Sequence, residues 1–338
     1  MDGPFAFIDS AQHLINSDTT GQVLEINSQD GALLLRQPCK PDIFYGQELQ
    51  IVPASREIKM TLFAMTIGRE FHWQRERDLV FLGKLVLKIV NNKITVINIV
   101  PLEQYITSVI SSEMSATSPM EYLKTHAVIS RSWVLAQIAQ AQQKVPQTTY
   151  SARSDNTLTA WWGREGHIDF DICNDDHCQR YHGFAQINET ASAVAQATRA
   201  EVLKFGDEIC DCRFAKACGG WSEHYENVWQ DKMAVPYLRG IWDAAGDSEK
   251  ITLDSEAKTE EFIMSSPKAY CNITDKNLLN QILVDFDKET THFFRWEVKY
   301  QRKELEALIQ EKSGFDIGEL QSLVPLQRGV SGRIIYLA

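Results

Sequence analysis

Three groups of side chains in this 338-residue chain can do chemistry. The first is one carboxylic acid, Glu113, which follows Leu102, Tyr105, Ile106, Val109 and Ile110. Those apolar residues recur at helical spacing, and Glu113 falls back on their face. An acid on the packed side of a helix loses hydration, and at the C-terminal end it also meets the negative end of the macrodipole. Both effects keep the proton on, as a general acid at neutral pH requires. The same spacing also allows the helix to stop at Ser111, with Glu113 directed into water.

The second group is His167, Cys173, His177 and Cys178, an H-x5-C-x3-H-C pattern. Two imidazoles and two thiolates fill a tetrahedral zinc shell and leave no position for water, so the ion stiffens a loop without activating a nucleophile. A Cys173–Cys178 disulfide beside two unrelated histidines is the other reading of this spacing. His182 is a reserve ligand should the adjacent His177 and Cys178 strain the shell. The third group is Lys124 and Arg131, which share a helix face with Val128 and Leu135. Such cations either snorkel to solvent or require a carboxylate or an anionic ligand.

The elements that must position these groups are legible in outline. Residues before 100 read as strands, among them Val23–Ile26 and Ala32–Leu35, and Leu85–Val90 with Ile94–Val100 reads as a hairpin about Asn91-Asn92. Pro101 suits the first turn of the helix that ends near Glu113. Ser118-Pro119-Met120-Glu121 has the form of a capping box, opening a helix expected to reach about Ala141. Residues 150–186 look irregular. An Ala-rich helix near 190–200, a Val202–Phe205 strand, a Gly206-Asp207 turn with a strand returning to Phe214, and a helix over 303–312 follow. The chain stops within a β-rich run, Arg333–Leu337.

The expected fold is α+β: a helical core carrying Glu113 packs on antiparallel strands, with long irregular loops. Its domains are a β-rich region over 1–84 and a catalytic domain over 85–338, whose metal-binding loop lies near 160–183. The apolar fraction of 44% and charged fraction of 23% suit a globular core. A net charge of −11 argues against nucleic-acid binding. No run approaches the roughly 18 apolar residues of a membrane helix, and Met1-Asp2-Gly3-Pro4 shows no signal peptide. Of the seven cysteines, Cys39 and Cys271 stand alone, while Cys210 and Cys212 read as buried thiols on one strand face.

The wording of several segments adds to this. Val100-Pro101-Leu102-Glu103-Gln104-Tyr105, Ser112-Glu113-Met114, Leu123-Lys124-Thr125-His126-Ala127-Val128 and Ser130-Arg131-Ser132 occur in order. Phe214–Glu223 with its double glycine, Val228-Trp229, Tyr237-Leu238-Arg239 and Arg328–Ile334 with Ser331-Gly332-Arg333 follow. Together they resemble the stage II sporulation protein D family of peptidoglycan lytic transglycosylases and amidase enhancers, over about 85–338. His126, Trp133 and Cys218 depart from the family's usual Gln, Tyr and Ser.

The resemblance implies that Glu113 is the catalytic acid and that Arg131, Tyr237 and Arg239 line its groove. Lys124, Gly219 and Gly220 join them as substrate-binding candidates, the double glycine either letting backbone approach a sugar chain or making a tight turn. Trp161, Trp162, Trp221 and Trp229 are candidates for stacking on sugars or for the core. Glu223 and His224 read as structural polar contacts. The implied substrate is wall glycan, cut between N-acetylmuramic acid and N-acetylglucosamine outside the cytoplasm, with a structural zinc and a wall amidase as partner. A non-catalytic amidase enhancer and a zinc-dependent wall hydrolase are the competing readings.

Overall fold

The computed structural model describes all residues except 10–13, 19–20, 22, 37–40, 70, 72, 143–149, 162–166, 186, 230–232, 245–250 and 290–291. Cys39 and Trp162 therefore lie outside the described residues, as does the side chain of Trp161. The fold is α+β. The chain divides into two units, one of Met1–Ala139, His167–Leu203 and Ile282–Val284, the other of Gln140–Gly166, Lys204–Gln281 and Asp285–Ala338.

In the first unit, strands β1 (Phe5–Asp9), β2 (Leu14–Asp18), β3 (Glu25–Gln29), β4 (Ala32–Arg36), β5 (Ile43–Tyr45), β6 (Glu48–Pro53), β7 (Met60–Ile67), β8 (Arg75–Phe81), β9 (Lys84–Val90) and β10 (Lys93–Ile99) precede the helices. They form a five-stranded antiparallel sheet in the order β10-β9-β6-β1-β2, a three-stranded β3-β4-β5 sheet and the β7-β8 pair. Alternation buries Phe5 and Phe7 of β1, while β6 buries the whole run Leu49–Ile51 and β9 the run Leu85–Leu87. The expected hairpin is present, with Asn91 and Asn92 at φ of 50° and 59°, the left-handed pair that a tight antiparallel turn needs and asparagine tolerates.

Helix α1 (Leu102–Glu113) buries Tyr105, Ile106, Val109 and Ile110, as the spacing anticipates. It runs through Ser111 to Glu113, so the reading in which it stops short is excluded. Helix α2 (Met120–Gln142) begins after Pro119, but the capping box is not made. Ser118 Oγ is buried without a hydrogen-bond partner among the described residues, and Glu121 turns outward to Lys124 Nζ at 2.8 Å. Helix α3 (Glu189–Ala197) packs against α1 with Ala191, Val194 and Ala195 buried, and Asn188 Oδ1 caps it by accepting from Ala191 N–H.

The second unit is sparser in regular structure. It holds hairpins β11 (Tyr150–Arg153) with β12 (Leu158–Trp161), β13 (Lys204–Phe205) with β14 (Glu208–Ile209), and β15 (Pro325–Arg328) with β16 (Ile334–Leu337). The β11-β12 hairpin lies in a stretch expected to be irregular, and the strands around Gly206-Asp207 are only two residues each. Helices α4 (Glu256–Met264), most of α5 (Lys276–Ile282) and α6 (Arg302–Ser313) complete it. Glu223 ties distant loops together: its carboxylate accepts from Ser331 Oγ, Asn227 Nδ2 and His224 N–H, and His224 Nδ1 accepts from Gly240 N–H at 2.8 Å.

Two buried histidines of the first unit make its stability depend on pH. Burial pushes both His126 and His182 down to about 4 from an ordinary 6.5, with Arg180 adding to the effect at His182. The neutral rings are favoured in the fold, so their contribution is complete above pH 6.5 and is lost as pH falls toward 4. Denaturant titrations across that window should show a decline of up to about 3 kcal/mol per histidine. The decline should shrink in His126→Gln, and a flat profile between pH 7 and 5 would refute the assignment.

Candidate active site and metal centre

Glu113 is the last residue of α1 and is half-buried. The last turn carries no basic residue to offset the helix dipole. Its Oε1 accepts from the backbone N–H of Arg180 at 2.9 Å, which orients the carboxyl. Two phenols stand near enough to feel its charge. Tyr105 is raised well above the usual tyrosine range, first by burial and then by Cys178 and Glu113, and Tyr122 is raised by burial and by Glu113.

The segment 179–183 lies along α1 and supplies that N–H. Tyr105 OH donates to Gln179 Oε1 at 2.9 Å, Gln179 Nε2 donates to Ser130 O, His182 N–H donates to Ser112 Oγ at 3.1 Å, and Ser108 Oγ donates to Gly183 O. Gly183 has φ +69°, and a Cβ there would sit 2.2 Å from Val80 O, so only glycine lets this segment lie against β8. Arg180 turns back to Asp176 at 2.7 and 2.9 Å and lies over the Trp73 ring. Gln179, Arg180 and Gly183 do not stand out in the sequence. The run Gln179-Arg180-Tyr181-His182 immediately after Cys178 was the available signal.

The metal candidates precede the same segment. Donor atoms of His167, Cys173, His177 and Cys178 all lie within 4.8 Å of one another. Cys178 Sγ is 3.6 Å from His177 Nδ1 and 3.9 Å from His167 Nε2, and Cys173 Sγ is 4.0 Å from His177 Nδ1. A tetrahedral shell with Zn–S and Zn–N bonds of about 2.3 and 2.0 Å has S···N edges of about 3.5 Å, so the donors fit zinc with little adjustment. The Cys173 thiol is held far below its ordinary range, first by the hydrogen bond from Cys178 and then by both imidazoles, against the effect of burial. No disulfide joins Cys173 to Cys178 in the structure, so that reading of the spacing is not realised. His182 is not among the converging donors; it is buried edge-on to Trp73.

Arg131 is placed differently from its expected role at the substrate. Its side chain is 1% exposed, its Nε and Nη2 grip both oxygens of Glu103 at 3.0 and 2.8 Å, and its Nη1 donates to Glu201 O. The fork is occupied by protein atoms, so Arg131 joins α1 to α2. Burial opposes ionisation of Glu103, but the hydrogen bond and charge of Arg131 outweigh it and hold that carboxyl below its usual range. Lys124 lines a hollow of about 420 Å³ with Glu121, Thr125, Val128, Thr198 and Glu201; Glu113 is not part of that lining.

The remaining candidates belong to the second unit. Tyr237 is 39% exposed, with its hydroxyl accepting from Asp211 N–H at 3.2 Å, and Arg239 pairs with Glu226. Gly219 and Gly220 have φ of +75° and +99°, and a Cβ at Gly220 would crowd Phe262 and Trp242 at 3.3 Å. The double glycine thus makes a turn packed against protein side chains. Trp221 is buried against Trp242, whereas Trp229 is partly exposed beneath the guanidinium of Arg213.

Residues 90–205 match a family model described as stage II sporulation protein, SpoIID, a stretch that contains Glu113, Arg131 and the four metal candidates. That stretch is thus similar to the stage II sporulation protein D family. Residues 223–338 match a second model, described as a domain of unknown function, DUF8618. The chain is similar to an uncharacterised protein of Brachyspira hyodysenteriae, 28% identical over 48% of this chain and 37% of that protein. It is also similar to stage II sporulation protein D of Bacillus subtilis, 24% identical over 45% of this chain and 42% of that protein. The chain thus spans about two-fifths of the length of these relatives. Among its described residues no helix is long and apolar enough to cross a membrane.

Proposed function

We propose that this chain is a peptidoglycan lytic transglycosylase, cutting the glycan strand between N-acetylmuramic acid and N-acetylglucosamine to leave 1,6-anhydro ends. The observation that supports it is Glu113: a half-buried carboxyl at a helix C-terminus, oriented by one backbone N–H, inside the segment that matches SpoIID. Most glycosidases need a second carboxylate as base or nucleophile. Here the 6-hydroxyl of the muramic acid attacks its own anomeric carbon, and an internal nucleophile has a high effective concentration. Glu113 donates its proton to the glycosidic oxygen and then receives the hydroxyl proton. On this reading the chain works on wall glycan outside the cytoplasm, beside an amidase that strips stem peptides.

His167, Cys173, His177 and Cys178 are proposed to hold a structural zinc. Four protein donors leave no open position, which disfavours the zinc-hydrolase reading. Bound, the ion cross-links the loop that leads to Arg180, whose N–H orients Glu113. Chelation should therefore lower melting temperature and glycan cutting together, by about 4 kcal/mol of stability where free zinc stands about a thousandfold above Kd. Zinc add-back should restore both. Loss of cutting with an unchanged melting curve would instead make the metal catalytic.

The deciding experiment is mass spectrometry of purified glycan incubated with the native chain. Anhydro-ended fragments are expected. A native chain that binds glycan but releases none would establish the enhancer reading instead.

A further inference from the structure

Cys218 stands where the SpoIID pattern carries serine before the double glycine, and it meets Cys271 from 53 residues downstream. Their Sγ atoms are 3.7 Å apart, both thiols are free, and the carboxylate of Asp243 converges on them, all three donors lying within 4.8 Å of one another. We propose that Cys218, Asp243 and Cys271 form a second metal site, taking a thiophilic divalent cation of the zinc class.

The geometry carries this further than it carries a disulfide. Two thiolates on a tetrahedral zinc at about 2.3 Å are separated by an edge of about 3.8 Å, close to the 3.7 Å found here. A disulfide requires about 2.05 Å and has no use for a third donor. The donors are also held as ligands are held, by backbone groups around them. Cys271 N–H donates to Asp243 Oδ2 at 3.0 Å, while Asp243 N–H donates to Gly220 O at 2.8 Å. Asp243 is thus tied to both cysteine-bearing segments, and its second carboxylate oxygen can turn to an ion.

Charge is accounted for locally. Two thiolates and a carboxylate exceed a divalent cation by one negative charge, and two guanidiniums stand alongside. Arg333 Nη2 donates to Cys218 O at 2.7 Å, and Arg295 Nη1 donates to Gly219 O at 2.8 Å. Three protein donors leave a fourth position for water or an exogenous ligand. Binding releases the two thiol protons and joins the double-glycine turn to the segment around Cys271.

Metal analysis of the full native chain, purified under reducing conditions and loaded with zinc alone, tests the proposal. A Cys218→Ser, Cys271→Ser double variant should carry one equivalent of zinc fewer than the native chain, and it keeps His167, Cys173, His177 and Cys178 intact. Asp243→Asn retains both thiols and an oxygen acceptor for Cys271 N–H, so it decides the matter if the double variant does not fold. In competition with a chromophoric chelator it should weaken this zinc by about tenfold or more. Equal zinc in native and folded double-variant chains, or unchanged affinity in Asp243→Asn, would overturn the site. So would peptide mapping that finds Cys218 and Cys271 joined to each other in the native chain.

Discussion

Glu113→Gln should reduce release of anhydro-ended glycan by about 10²–10⁴-fold, the usual contribution of a positioned general acid. The substitution is close to isosteric, and the amide oxygen can still accept from Arg180 N–H, whose 2.9 Å bond now orients the carboxyl. Only the transferable proton is removed, so melting temperature should change little while the rate collapses. Glycan binding should persist, because the loss concerns the transition state. A variant that keeps more than roughly a tenth of the native rate would remove Glu113 from the chemistry. A variant that loses rate and fold together would show a structural carboxylate.

The second large effect lies in the support beneath that acid. Glu103→Ala should destabilise the first unit by roughly 3–5 kcal/mol, because it strands a guanidinium in the interior. Arg131 is 1% exposed at its side chain, and Glu103 supplies both oxygens that its fork grips. For a unit of this size the shift in melting temperature should be roughly 6–20 °C. The double variant Glu103→Ala, Arg131→Met should recover much of the loss, since the stranded charge is gone. If Glu103→Ala shifts stability by less than about 1 kcal/mol, the pair behaves like an exposed ion pair and the strut assignment fails. Catalysis at temperatures where the variant stays folded should suffer far less than in Glu113→Gln, because Glu103 acts through the seating of α1.

Short-range physics explains which features were readable in advance. The stripe Tyr105, Ile106, Val109, Ile110 lies on one buried face because helical periodicity places it there, and the same periodicity carries Glu113 to the end of α1. The turn at Asn91-Asn92 follows from the left-handed tolerance of asparagine. The H-x5-C-x3-H-C spacing could anticipate a closed cluster because a loop of that length easily brings four donors together. Ser118 failed as a cap although its pattern was right, since its hydroxyl became buried away from the first-turn amides.

Partner choice over long separations was not readable. Spacing left Arg131 either to snorkel to solvent or to need a carboxylate or an anionic ligand; that Glu103, 28 residues earlier, provides the carboxylate depends on how α1 packs on α2. The N–H that orients Glu113 comes from Arg180, 67 residues away, and is set by the docking of a loop with no periodicity of its own. Cys218 and Cys271 looked unrelated until folding closed their separation of 53 positions. Local propensity acts within a turn or two of chain, whereas these pairings follow from which buried surfaces meet, a property of the whole packed unit.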